Sequence, residues 1–203
     1  MKKIAVVGIA IAAVAAAGFF AFRSISAQEA PAESRVSKKA ADSLQVKIDR
    51  IKQQEAQGNS NHQSKELEVS EIEMESYVLF SLRDDIPVQM DSIDVQLTPG
   101  TVAADTQMTF TSNSTGNPMV DAIMGGTHNL FVKGKFEGRD SRGRFELEEI
   151  RVDGIPVPKV LIQTLFDKYV KPKYPEADLK KPFELPWGIR SIDIQNGTAK
   201  IAY

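Results

Sequence analysis

The 203-residue sequence contains no cysteine, only two histidines and a single tryptophan. Without cysteine there are no disulfides, no thiol nucleophile and no thiolate metal ligands, and the wide separation of His62 from His128 does not predict a zinc site. The sequence also lacks an excess of basic charge, since it contains 25 basic and 27 acidic residues. Its charge therefore does not indicate binding to nucleic acid. We therefore predict an ordinary globular chain with no cofactor, no metal and no nucleic-acid partner.

A long uncharged run lies at the N-terminus. Lys2 and Lys3 precede residues 4–22, which carry no charged side chain, and Arg23 closes the run. A helix of this length, at about 1.5 Å per residue, is close to the roughly 30 Å hydrocarbon core of a bilayer. We predict that residues 1–27 are an uncleaved transmembrane signal anchor or a cleaved signal peptide, and the sequence leaves both open.

Either form of this segment predicts export into a bacterial-type cell envelope. With an anchor, the domain is held at the inner membrane and lies in the periplasm or outside. With cleavage, it is secreted to the periplasm.

Residues 28–64 are predicted to be a spacer followed by a stalk helix. Within residues 37–57, apolar side chains recur at spacings of four, three and four positions: Ala41, Leu44, Ile48 and Ile51. This narrow seam favours a helix that docks lightly on the domain or stands in solvent. Weak self-association through residues 37–57 and docking on a membrane surface are the alternatives.

The remaining residues, 65–203, carry three pairs of segments in which apolar and polar side chains alternate. Their turns fall at residues 99–100, 139–143 and 196–197, and this predicts three β-hairpins. The alternation slips by one position between Leu147 and Ile150, which predicts a β-bulge at Glu148–Glu149. We expect a bent antiparallel sheet of about six strands with one wet face.

Each of these hairpins follows a predicted helix. The first begins with a capping box formed by Ser70 and Glu73 and is expected to bury Ile72, Leu79 and Leu82. The second spans residues 119–124. The third runs to about Val170 after a proline-bearing segment. Since a sheet with one apolar face needs helices to cover that face, the fold class is α+β.

The third predicted helix has an apolar face wider than one sheet contact needs. Leu161, Leu165 and Tyr169 form one row at a spacing of four residues, and a second row lies beside it. The second row consists of Ile162, Phe166 and Val170. Either the helix is sandwiched on two sides, or one row lines a cavity.

Three short phrases in residues 66–203 resemble a known group of exported proteins. They are residues 69–77 (VSEIEMESY), 152–158 (VDGIPVP) and 182–189 (PFELPWGI). In these phrases the chain resembles bacterial tubular lipid-binding domains, in particular the half-barrel periplasmic family linked to mannolipid assembly. The resemblance implies a curved sheet around an apolar groove, a lipid or acyl-chain ligand and no catalytic residue. The family's lipid contacts are defined by shape, so none transfers residue by residue.

Candidate ligand contacts are therefore the apolar side chains of the second and third predicted helices, together with the lone tryptophan. They are Met119, Ile123, Leu161, Leu165, Tyr169 and Trp187. For Trp187, between Pro186 and Gly188, the alternatives are a plug at the end of the core and a position at the mouth of a groove.

Residues with catalytic potential are scattered. His128 is interpreted as an ordinary strand histidine, Asp84–Asp85 as a solvated turn, and residues 139–144 as a charged hairpin tip. No catalytic constellation is predicted. The sequence predicts a membrane-anchored or exported non-enzymatic domain that binds a lipid or other apolar ligand in a groove between sheet and helices. The alternative is a cell-envelope scaffold without a small-molecule ligand, and a hydrolase comes third.

Overall fold

The computed structural model describes residues 35–56, 65–83, 89–110, 126–158 and 181–203, together with seven residues between the last two ranges: 160, 162, 163, 167, 171, 172 and 178. The predicted N-terminal signal segment and the predicted helix at 119–124 lie outside the described residues. Among the residues that are described, no helix has the length and apolar character that crossing a bilayer requires.

The described chain is a sheet accompanied by two helices, so the α+β class is confirmed at that level. The helices are α1 (Lys38–Ala56) and α2 (Glu71–Ser81). The strands are β1 (Glu66–Ser70), β2 (Gln89–Thr98), β3 (Thr101–Phe110), β4 (Gly126–Arg139), β5 (Arg142–Val152), β6 (Ile155–Pro156), β7 (Phe183–Glu184), β8 (Ser191–Gln195) and β9 (Thr198–Ala202). All of their pairings are antiparallel, in the order β1-β9-β8-β4-β3-β2, with β5 beside β4.

The three predicted hairpins are β2–β3, β4–β5 and β8–β9. Their turns differ from the prediction only at the second, where Asp140 and Ser141 alone connect the strands. The predicted bulge is confirmed. Lys133 pairs with Glu149 and Gly134 with Leu147, which leaves Glu148 as the extra residue. A further irregularity in β2, between Met90 and Ser92, was not predicted.

The expectation of about six strands is too low, because the described residues also form β1, β6 and β7. Strand β1 pairs with β9, near the other end of the chain, whereas β6 and β7 are two-residue strands that pair with β5. Such short segments carry little alternation of their own, and their pairing depends on partners brought close by the fold.

Helix α2 begins as predicted, but its buried side was predicted wrongly. Ser70 accepts a hydrogen bond from the backbone of Glu73, whose side chain in turn accepts from the backbone of Ser70, and this confirms the capping box. Ser76 and Val78 are buried, whereas the three side chains expected inside are only partly buried. The reason is that α2 packs against α1 as well as against β2, so its orientation is set by two neighbours.

Helix α1 packs on the domain along the predicted seam. Its four seam residues are all buried: Ala41, Leu44, Ile48 and Ile51. Leu44 and Ile48 pack with Val69 of β1, whereas Ile51 joins Leu185 and Tyr203 at the end of the sheet. Of the alternatives for residues 37–57, docking on the domain is the one observed.

Side chains of the two helices also cover backbone groups of the outermost strands. Glu71 and Glu75 of α2 accept hydrogen bonds from the amides of Leu97 (2.6 Å) and Val95 (2.9 Å) in β2. Lys47 of α1 donates to a carbonyl of β1. Covered edges of this kind are poor templates for the addition of another strand.

Candidate functional site

The apolar face of the sheet contains a cluster that is separate from the packing of α1 and α2. Register brings it together, because Leu130 lies opposite Val152 and Val132 lies opposite Ile150. We name it the distal cluster, and its buried members are Met108, Leu130, Val132, Ile150, Val152 and Ile162. None of these residues belongs to α1 or α2, and the described member that covers this end of the sheet from outside the strands is Ile162.

The described part of that cover follows β6. Leu147 and Val157 pack against the distal cluster at its margin, and Ile162 is one of its buried members. The amide of Ile162 donates to the carbonyl of Pro158 (3.2 Å), a spacing of four residues that fits the start of the predicted third helix. Val160, two residues earlier, is 72% exposed. The segment that covers the distal cluster therefore begins with Ile162 in the core and Val160 in solvent.

Of the six predicted ligand contacts, only the tryptophan belongs to the described part of the chain. The other five fall outside it: Met119, Ile123, Leu161, Leu165 and Tyr169. Trp187 is partly buried and packs with the apolar clusters that contain Ile48 of α1 and Leu185. The ammonium group of Lys52 lies 5.0 Å from the centroid of its ring, a cation–π distance. These contacts agree with the interpretation of Trp187 as a plug at the end of the core.

His128 has a partner that sequence reasoning missed. Its Nδ1 lies 2.8 Å from a carboxylate oxygen of Asp153, and the other oxygen of Asp153 accepts from the amide of Asn129 (2.9 Å). The signal available in the sequence was the turn at Asp153–Gly154, directly after the strand that pairs with β4. A histidine held by a carboxylate can transfer a proton. Among the described residues, however, no group of three or more metal-ligating side chains comes together.

Glu73 is the centre of a polar network that fastens α1 to α2. Lys47 donates to its carboxylate at 2.7 Å, as does Ser43 at 2.7 Å, and Lys47 also reaches the carbonyl of Glu68. Burial alone would raise the pKa of Glu73, but the hydrogen bonds from Lys47, the Ser70 amide and Ser43 outweigh it and hold the pKa below its ordinary value. The network therefore stabilises the ionised carboxylate.

Glu75, two residues further along α2, is in the opposite situation. Burial raises its pKa, the hydrogen bond from the Val95 amide opposes that rise, and the carboxylates of Asp94 and Glu71 add to it. Arg35 acts in the lowering direction. The net result is a raised pKa, so the native fold favours the protonated form.

Isosteric substitutions of these two glutamates should therefore have effects of opposite sign. Because the pKa of Glu73 is lowered in the fold, its ionised carboxylate stabilises the protein above the ordinary glutamate pKa of about 4.3. That stability is lost as the pH falls through the folded-state pKa. Glu73→Gln should therefore lower Tm at about pH 7. The raised pKa of Glu75 gives stability that is lost as the pH rises, so Glu75→Gln should raise Tm there. Both differences should shrink at about pH 3. Thermal unfolding at the two pH values checks this, and shifts of the same sign at about pH 7 would contradict it.

No protein-family model matches the chain, and the search of curated proteins finds no match. The fold places it among α+β proteins with a mostly antiparallel sheet and two helices in the described residues.

Proposed function

We propose that this chain is an exported, membrane-anchored, non-enzymatic domain that binds a lipid or another apolar ligand between the sheet and the helix predicted from residue 159 to 170. Its action is passive: the groove shields an acyl chain from water, at about 0.8 kcal/mol for each buried methylene group. The uncharged run at residues 4–22 supports the membrane attachment.

The observation that carries the proposal is the way in which the distal cluster is covered. Ile162 occupies the contact with the sheet, while Val160 is exposed. In a helix with 3.6 residues per turn, Leu161 is about 100° from each of them. By the same geometry Leu165 is about 60° and Tyr169 about 20° from Ile162, so the row is expected to start at the boundary between the core and solvent and to run towards the sheet. A row of large apolar side chains that runs from that boundary towards the sheet is suited to one wall of a groove.

The scaffold alternative has less support from α1. Its predicted self-association surface is the seam along residues 37–57, and that seam is buried within the chain itself. Association through the seam would first have to release Ile51 from Leu185 and Tyr203. We therefore place ligand binding first.

Replacing Leu165 with glutamate should remove bound lipid. Residues 28–203, which include every described residue, would be purified and examined by native mass spectrometry for lipid that stays bound. The wild type is expected to carry lipid and Leu165→Glu to retain at most about a tenth as much, because a carboxylate against an acyl chain is left without a partner. Tyr169→Glu, one turn further along the same row, is the second variant.

The matched control is Val160→Glu, which places the same charge on the same segment at a position that is 72% exposed. It should retain wild-type lipid. Unchanged lipid in folded Leu165→Glu and Tyr169→Glu would contradict the proposal. A wild type without lipid would favour the scaffold, which analytical ultracentrifugation with and without residues 37–57 would then test.

A further inference from the structure

The tip of the β4–β5 hairpin carries three arginines. Arg139, Arg142 and Arg144 flank the turn, and none of their side chains has a hydrogen bond or an ion pair within the described residues. Further along the same hairpin the basic side chains are paired. Lys133 and Lys135 reach Glu148 at 3.9 and 3.1 Å, and Arg151 reaches Glu149 at 3.2 Å. Among the described residues, the basic side chains of this hairpin that lack a partner are thus confined to the tip.

The register makes this arrangement unfavourable when the tip is empty. Arg139 lies directly opposite Arg142, and like charges facing each other across an antiparallel pair destabilise it. Carboxylates are close in register, since Glu137 lies opposite Arg144 and Glu184 lies opposite Arg142, and Asp140 is in the turn. None of these three carboxylates forms an ion pair with the arginines in the part of the chain that is described.

The turn has a strained backbone conformation, and two hydrogen bonds to a neighbouring segment hold it in place. Asp140 and Ser141 have φ values of 50° and 59°, in the left-handed region that such turns usually fill with asparagine and glycine. The amide of Ser141 donates to the carbonyl of Arg190 (2.8 Å), and its carbonyl accepts from the amide of Leu185 (2.8 Å). These two bonds hold the backbone of Arg190 beside the tip.

Arg190 adds a second sign of a missing partner. Its Nη2 atom is buried and has no hydrogen-bond partner among the described residues. A buried donor without an acceptor costs about 1–3 kcal/mol, and more when the group is charged. An acceptor within reach of the Arg190 side chain would remove that cost.

We propose that Arg139, Arg142, Arg144 and Arg190 form a site for a phosphate group. Guanidinium groups present paired donors that match the oxygens of phosphate, and one phosphate can accept from several arginines at once. The three nearby carboxylates offset much of the positive charge, so recognition depends on these hydrogen bonds more than on long-range attraction. The phosphate can belong to a lipid headgroup or be free in solution.

This site is distinct from the proposed groove. Arg139 lies nine positions along β4 from Leu130 of the distal cluster, which corresponds to about 30 Å along a strand. The inference therefore does not rest on the proposed function, and loss of one activity would leave the other intact.

The chain contains its own reporter of phosphate binding. Trp187 is the only tryptophan, and its loop is joined to Ser141 at both ends, through Leu185 and Arg190. The full chain, held in micelles of a nonionic maltoside detergent, would be titrated with inorganic phosphate and with dihexanoyl phosphatidic acid below its micelle concentration, at constant ionic strength. Saturable changes in fluorescence are expected. The double variant Arg139→Gln with Arg142→Gln should raise Kd at least about tenfold.

The control is Lys133→Gln with Lys135→Gln, which removes two paired charges from the same hairpin and should keep the wild-type Kd. Without phosphate, the arginine variant should melt at or above the wild-type Tm, because facing like charges have been removed; this separates loss of binding from loss of folding.

Tighter binding of the phosphatidic acid identifies a lipid headgroup, and equal binding identifies phosphate itself. Wild-type affinity in the arginine variant, equal loss in the control, or equally tight binding of succinate would overturn the proposal.

Discussion

Replacing Ile51 with alanine is expected to lower the free energy of unfolding by about 3 kcal/mol, within the range of about 2–5 kcal/mol for such truncations in a core. Ile51 is 3% exposed and packs with Leu185, Ile189 and Tyr203. The substitution removes this contact between α1 and the C-terminal part of the sheet and leaves a cavity behind. Denaturant unfolding of residues 28–203, followed by circular dichroism, measures the change.

The control for this experiment lies on the same helix. Val46 is 52% exposed, and Val46→Ala should change the free energy of unfolding by no more than about 0.5 kcal/mol. If the two substitutions had equal, small effects, α1 would be a stalk in solvent and the packing described above would be wrong. Ile51→Val, with an expected cost of about 0.5–1.5 kcal/mol, gives a measurable point if the alanine variant does not fold.

Replacing Gly134 with alanine is expected to cost about 1–3 kcal/mol, the usual price of overpacking. A Cβ atom there would lie 2.7 Å from the carbonyl oxygen of Glu146 and would overlap the ring of Phe145. The backbone preference alone would stabilise the variant, because alanine is favoured over glycine in a strand by roughly 0.5–1 kcal/mol. The sign of the change therefore reports the tertiary contact rather than the backbone preference.

The measurement is again denaturant unfolding, made in two backgrounds. In a Phe145→Leu chain the ring is gone, so Gly134→Ala should cost less by at least about 0.5 kcal/mol, a coupling typical of residues in contact. Gly134 is also the residue at which the register shifts around Glu148. Stabilisation by Gly134→Ala would show that β4 and β5 do not meet as described.

Local signals in the sequence were enough to predict the three hairpins, the bulge and the start of α2. The Asn196–Gly197 turn and the Ser70–Glu73 capping box act within a few residues, and the phase slip before Ile150 is visible along one strand. These features follow from backbone conformation and from the period of two along a strand, and neither needs a distant partner.

Contacts between distant segments could not be predicted in the same way. The pairing of β1 with β9, the bond between His128 and Asp153 and the side of α2 that is buried each depend on what the fold places alongside. The candidate site divides similarly. Sequence patterns selected apolar rows as ligand contacts, but Trp187 is the only one of these contacts among the described residues, and its neighbours come from α1 and from the region around Leu185.

The sequence by itself determined the alternating strands, the turns between them and the amphipathic seam of α1, because each depends on neighbours within a few positions. Only the tertiary structure decided that this seam is buried within the chain, that Lys47 and the glutamates of α2 bond backbone groups of β1 and β2, and that the backbone of Arg190 is held beside a turn flanked by three other arginines. The physical reason is that burial and charge pairing are properties of groups brought together in space, whereas turn and strand preferences belong to the local chain.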